Sequence, residues 1–111
     1  MLYLASYDIA EQDADEYQQL WDYSDSLGSA KLLYSQYAVP FTGTALELAT
    51  KIQAHLKKAD RLLVCEIFNS NTATSWINLK ITTAAFGAML VKYARTLKVT
   101  DRPQLNILLR C

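Results

Sequence analysis

Strand-like and helix-like apolar patterns alternate along the first 68 residues of this chain, and this alternation constrains its fold more than any other feature. Residues 2–9 are almost continuously apolar and rich in aromatic and branched side chains, as in a buried central strand. Residues 31–41 and 61–68 share that composition. Between them, apolar residues recur at three- and four-residue steps over residues 13–27 and 44–58, which predicts two amphipathic helices.

The order strand, helix, strand, helix, strand predicts the α+β class, with helices on one face of a sheet. Right-handed crossovers bring the first and third strands side by side, in a ferredoxin-like βαβαβ core. The other sheet face must then meet either the rest of the chain or a second copy, so we expect a homodimer. The 111 residues are predicted to form a single domain, with a core at about 1–70 and a C-terminal extension at about 71–111.

The C-terminal extension carries an additional helix and an additional strand in this prediction. Residues 75–81 fit either a strand or an irregular segment. Residues 83–97 fit a helix that is apolar on more than one side, and such a helix needs two partners, for instance the sheet and another subunit. Residues 104–110 predict a last strand, at a sheet edge or paired across a dimer.

Charge is balanced in total but not in its distribution. The first 30 residues hold seven acids and no Lys or Arg, whereas the remaining residues hold eleven bases and four acids. A neutral chain is not typical of proteins that bind nucleic acid avidly and without specificity. The uneven distribution fits a local basic surface for phosphate, pairing between subunits, or ordinary solvated faces.

The sequence also predicts a cellular compartment. No apolar run approaches the roughly 20 residues of a membrane span, and the start lacks the features of a signal peptide. Cys65 and Cys111 form no CxxC pair and cannot build a disulfide framework, which fits a reducing environment. We therefore expect a cytoplasmic protein, with Cys65 as a small hydrophobic residue in the core.

Asp8 ends the first predicted strand and is the main candidate for chemistry. Its carboxylate either closes the turn, by accepting hydrogen bonds from the backbone N–H groups that follow, or is the first ligand of a metal site. Magnesium keeps several waters, so one or two carboxylates and a substrate phosphate are sufficient ligands. Two copies related by a dimer axis supply a pair of carboxylates, and the metal can polarise a phosphoryl oxygen and activate water.

Other titratable groups are weaker candidates. Acids at a helix start are favoured by the helix dipole, which makes a solvated first turn the expected environment of Glu11, Asp13, Asp15 and Glu16. His55, the only histidine, is predicted near the end of the second helix. A single histidine cannot form a zinc site with two distant cysteines, so a structural or solvent-facing role is expected.

Four stretches carry a resemblance to a known family: YLASYDI at the start, SLG after the first helix, LLYSQYAVP in the second strand and AHLKKADRLLVCEI from the second helix into the third strand. In this order, over residues 2–68, they resemble the SinR-like branch related to the CRISPR-associated endoribonuclease two family. Residues 70–111 have no counterpart in it.

The resemblance implies a ferredoxin-like homodimer. In the CRISPR-associated endoribonuclease two family, which acts in CRISPR adaptation, an aspartate at the end of the first strand lies at the dimer interface. That aspartate is associated with a divalent metal and phosphodiester cleavage, and Asp8 is the matching position in this chain. The resemblance thus implies Asp8 as catalytic residue and metal ligand, with magnesium or manganese as cofactor and RNA or DNA as substrate. Some members of that family serve chiefly as scaffolds for DNA or protein, so a non-catalytic dimer is the alternative.

Aromatic and basic residues give candidates for nucleic-acid contacts. Strand aromatics can stack on bases, and Lys or Arg can bind phosphate, which makes Tyr7, Lys31, Tyr37 and Arg61 the main candidates. The other aromatic residues with the chemistry to stack on a base are Tyr3, Tyr34, Trp76 and Tyr93. Core or interface packing is the competing explanation for the tyrosines. A third class of function, a small-ligand or regulatory module on an aromatic sheet surface, has no phosphate loop or other pocket motif in its favour.

Overall fold

A computed structural model describes residues 1–9, 17–70 and 73–96 of the chain. These residues form four strands and three helices, in the order β1 (Leu2–Asp8), α1 (Gln18–Ser26), β2 (Ala30–Leu33), β3 (Gln36–Pro40), α2 (Ala45–Gln53), β4 (Arg61–Ile67) and α3 (Thr83–Tyr93). The predicted α+β class is therefore confirmed. In the described ranges, no helix is long and apolar enough to cross a membrane.

The four strands make one antiparallel sheet in the order β2-β3-β1-β4. The first and third predicted strands, now β1 and β4, are neighbours as expected, with Leu2 opposite Ile67 and Asp8 opposite Arg61. The predicted βαβαβ core is wrong in one element, because residues 31–41 form a hairpin instead of a single strand. The added strand reverses the chain, which is why β4 runs antiparallel to β1.

The hairpin turns at Tyr34 and Ser35, between β2 and β3. Two-residue hairpin turns usually carry Gly, Asn or Asp, and neither residue gives that signal. A register shift between Lys31 and Leu33 adds a local irregularity to the ladder. The uninterrupted strand composition of this stretch thus hides a chain reversal.

The helices are shorter than the sequence predicts. The α2 helix ends at Gln53, five residues before the predicted end, and α3 ends at Tyr93. The predicted start of the first helix, residues 13–16, and the predicted last strand, residues 104–110, lie outside the described residues. Of the two alternatives for residues 75–81, the irregular segment is the observed one.

Two apolar clusters cover the two faces of the sheet. The first lies beneath α1 and α2 and contains the odd-numbered side chains of β1; its buried members are Tyr3, Ala5, Tyr7, Ile9, Tyr17, Leu20, Val39, Leu48 and Ile52. The second lies beneath α3, on the opposite face, and its buried members are Leu2, Leu32, Ala38, Ile67, Phe86 and Leu90. The C-terminal extension therefore covers part of the sheet face that the first two helices leave free.

The start of α2 is fixed by a capping box. The Thr44 hydroxyl accepts a hydrogen bond from the Glu47 backbone N–H at 3.1 Å, and the Glu47 carboxylate accepts one from the Thr44 backbone N–H at 3.3 Å. Both bonds satisfy N–H groups that have no partner inside the helix.

We expect Thr44→Ala to lower the free energy of unfolding by about 1 kcal/mol, since the substitution leaves helix-start N–H groups without this acceptor. Urea unfolding followed by circular dichroism measures the change. Thr50→Ala, on the exposed surface of the same helix, is the matched control and is expected to stay within about 0.5 kcal/mol of the unmodified protein. Equal effects of the two substitutions would contradict the capping role.

Candidate functional site

Asp8 lies at the end of β1, where its side chain is 75% exposed. Directly across the ladder, the Arg61 side chain is 83% exposed, and its Nη1 atom is 3.8 Å from the Asp8 Oδ2 atom. An ion pair between two such exposed side chains contributes little to stability. Both groups are thus accessible to a ligand from solvent.

Hydrogen bonds hold the backbone just before Asp8 and just before Arg61. The Tyr7 N–H donates to the Ser35 carbonyl at 2.9 Å, which ties the turn of the hairpin to β1. Before Arg61, the Asp60 carboxylate accepts hydrogen bonds from the Tyr17 hydroxyl and from the Lys57 N–H, each at 2.7 Å. These Asp60 contacts hold the start of β4, and no pattern in the sequence predicts them.

Side chains alternate between the two faces of a strand, so Asp8 and Leu2 lie on the same face of the sheet. Leu2 belongs to the apolar cluster beneath α3. The α3 helix lies over the Leu2 end of that face. At the other end the face is exposed: besides Asp8 and Arg61, Leu63 is 62% exposed and lies opposite the half-buried Ser6. We call this surface, formed by Ser6, Asp8, Arg61 and Leu63, the open sheet end.

The four predicted nucleic-acid contacts do not form one surface. Arg61 belongs to the open sheet end. Tyr7 is 5% exposed in the cluster beneath α1 and α2, and its ring contacts that of Tyr37 edge-on at 5.6 Å. Lys31 is opposite Tyr37 in the ladder, so both lie on the helix-covered side, where the Lys31 Nζ atom is 5.9 Å from the Tyr37 ring centroid.

The buried phenol of Tyr7 is held in its protonated form. Burial raises the pKa of the Tyr7 phenol far above its ordinary value, and the neighbouring Tyr37 adds to the shift. Tyr7 therefore stays neutral at physiological pH. Its ring also meets that of Trp21 edge-on at 6.1 Å, which indicates a packing role.

Asp8 supplies one carboxylate, and a metal site needs further ligands besides it. Among the described residues, no group of three or more His, Cys, Asp or Glu side chains lies close enough to hold a metal ion. One exposed carboxylate fits magnesium or manganese only as a partial site, completed by water, by a phosphate or by the second copy. The acids from Glu11 to Glu16 and the turn that Asp8 was predicted to close lie outside the described residues.

The remaining candidates lie elsewhere. His55 stacks on Tyr23, with ring centroids 5.4 Å apart, between α2 and α1. Cys65 was predicted in the core but is exposed, on β4, which is an edge strand in the described part of the sheet. It borders a groove of about 560 Å³ between the sheet and residues 73–79, whose walls include Leu4 and Trp76.

Tyr34, one of the aromatic residues that the sequence offers for base stacking, lies at the tip of the hairpin. Its side chain is 67% exposed, and the Lys31 Nζ atom lies 5.1 Å from its ring centroid. Only recognition of the turn could have separated this tyrosine from Tyr37, three residues later, which is half-buried.

Comparisons with protein-family models, with curated proteins and with solved structures gave no match to this chain.

Proposed function

We propose that this chain is a ferredoxin-like homodimer that binds a nucleic-acid phosphate at the open sheet end and cleaves the phosphodiester bond with a divalent metal. The β-α-β-β-α-β order of the first six elements and the antiparallel strand order β2-β3-β1-β4 support the ferredoxin-like assignment. The resemblance of residues 2–68 to the SinR-like branch related to the CRISPR-associated endoribonuclease two family supports the same assignment.

One observation carries this proposal: an exposed carboxylate and an exposed guanidinium lie side by side at the end of two paired strands. Arg61 presents a planar fork of donors that matches phosphate oxygens. Asp8 presents oxygen ligands of the kind that magnesium and manganese accept. A phosphodiester placed between them meets both a positive donor and a carboxylate that can share a metal with it.

The chemistry divides between the metal and the side chains. When bound, a divalent metal supplies Lewis-acid polarisation and an activated water. Asp8 holds such an ion beside the phosphate. Arg61 neutralises charge on the non-bridging oxygens, and the open position of both side chains lets a polymer approach without a cleft.

A second copy completes the site in this proposal. The open sheet end includes Leu63, which is 62% exposed, and Leu33, on β2 at the opposite edge of the sheet, is 43% exposed. Apolar side chains beside polar groups are typical of surfaces that contact a partner. Pairing through this face brings the two Asp8 carboxylates toward each other.

We expect Asp8→Asn to reduce magnesium- or manganese-dependent cleavage of RNA or DNA oligonucleotides by at least about 100-fold, since the amide binds a metal poorly and carries no charge. Gel analysis of labelled oligonucleotides measures the rate. Asp22→Asn, which removes an exposed acid on α1, is the matched control and is expected to retain the full rate. Circular dichroism and urea unfolding confirm that both variants fold.

A non-catalytic scaffold is the second candidate, and it is favoured because Asp8 is the single carboxylate of the open sheet end and forms only a partial metal site by itself. A scaffold binds oligonucleotide or protein without cleaving, and Asp8→Asn leaves that binding unchanged. Cleavage that persists in Asp8→Asn, or a monomer in analytical ultracentrifugation, would rule out the nuclease proposal as stated.

A further inference from the structure

We infer that Tyr34 is a base-stacking residue that makes the protein prefer unpaired over paired nucleotides. This inference rests on the proposed function, since it assigns a substrate class to the same end of the sheet. Among the large apolar side chains that the described residues expose, namely Leu33, Tyr34, Leu46, Leu63, Ile77 and Val91, the only aromatic one is Tyr34.

The hairpin places Tyr34 at the end of the sheet that carries Asp8. Ser35 follows it directly, and the Ser35 carbonyl accepts the Tyr7 N–H at 2.9 Å, one residue before Asp8. Across β1 lies Arg61. The turn, the end of β1 and the start of β4 thus form one continuous rim, in which adjacent strands are about 5 Å apart.

The Tyr34 ring and the Asp8 carboxylate lie toward opposite faces of this rim. The ring is close to Lys31, which is on the helix-covered side, whereas the carboxylate is on the side of α3. A flexible single strand can pass over the rim and contact both. A duplex is too stiff to follow such a short path.

Tyr34 and Lys31 combine the two features that single-stranded nucleic acids require. The Lys31 ammonium lies over one face of the ring and supplies a positive charge for the backbone, while the opposite face offers a flat surface to any base, because every base has a π-face. A base inside a duplex already stacks on its neighbours, so only an unpaired base gains from the ring. The buried Tyr7 and the half-buried Tyr37 cannot offer a whole ring face in this way.

The inference is tested by measuring binding of short fluorescein-labelled RNA and DNA strands and of the matching duplexes by anisotropy. Chelator is present, so that metal-dependent cleavage plays no part. Tyr34→Leu is expected to weaken single-strand binding by at least about fivefold, the loss of one base stack, without changing duplex binding. Tyr34→Phe keeps the ring and is expected to stay within about twofold of the unmodified protein.

Leu46→Ala, on α2 and 76% exposed, is the matched control for loss of exposed apolar surface and is expected to have no effect. Equal affinity of the unmodified protein for single strands and duplexes, or single-strand binding by Tyr34→Leu at full affinity, overturns the inference and leaves the Asp8 proposal intact. Failure to bind any oligonucleotide in chelator also overturns the inference, whereas the Asp8 proposal is tested separately by the metal-dependent cleavage assay.

Discussion

We expect Phe86→Ala to lower the free energy of unfolding by about 3–5 kcal/mol, the range for truncation of a fully buried phenylalanine. Phe86 is 2% exposed at the centre of the cluster between α3 and the sheet. Its ring meets that of Trp76 edge-on, with centroids 4.8 Å apart. The substitution removes both the buried area and this ring contact, and the surrounding side chains can collapse only partly into the cavity.

Urea unfolding followed by tryptophan fluorescence measures the effect, because Trp76 reports on the same cluster. Val91 lies on the same helix and is 79% exposed, so Val91→Ala is the matched control. We expect it to lower the free energy of unfolding by less than about 0.5 kcal/mol. The total free energy of unfolding of a domain is about 5–15 kcal/mol, so the loss expected for Phe86→Ala is a large fraction of the stability. Similar effects of the two substitutions would contradict the docking of α3 on the sheet.

Leu48→Ala is expected to cost about 2–5 kcal/mol on the other side of the sheet. Leu48 is 0% exposed and lies in the cluster that α1 and α2 form with β1. Truncation leaves a cavity between α2 and the strands, and the adjacent capped helix start limits how far the helix can move to fill it.

The position two residues earlier provides the control. Leu46 is 76% exposed, so Leu46→Ala removes the same atoms from solvent rather than from the core, and we expect a change of less than about 0.5 kcal/mol. Chemical unfolding of both variants under identical conditions gives the comparison. A Leu48→Ala loss below about 1 kcal/mol would contradict the position of α2 over the sheet.

The sequence predicted the elements whose apolar period is clear. The β1 strand and the two helices after it follow from strand composition and from helical spacing. The strands β1 and β4 are adjacent as expected, but they run antiparallel, whereas the crossover rule behind that expectation applies to parallel strands. The hairpin at Tyr34 and Ser35 did not follow, because the turn contains no glycine, asparagine or proline and the residues on both sides are strand formers. Local composition records strand preference but not the point where a chain reverses.

Of the candidate site, the sequence predicted one residue, Asp8, but not the residues that surround it. Asp8 was identified because an acid ends an apolar strand. Its neighbour Arg61 was a candidate on charge alone, and only the register of β1 against β4 places the two side chains together. Tyr7 and Tyr34 have the same chemistry, yet one is 5% and the other 67% exposed, a difference set by strand face and turn position.

The alternation along β1 links the acid to the core. Tyr7 and Asp8 are consecutive, and one is enclosed by aromatic rings while the other faces water. Shifting this strand by one residue against its neighbours would turn the carboxylate beneath the helices and push Tyr3, Ala5 and Tyr7 out on the reverse side. Substitution can therefore change the acid without cost to the core, whereas a change of register moves the acid and the core together.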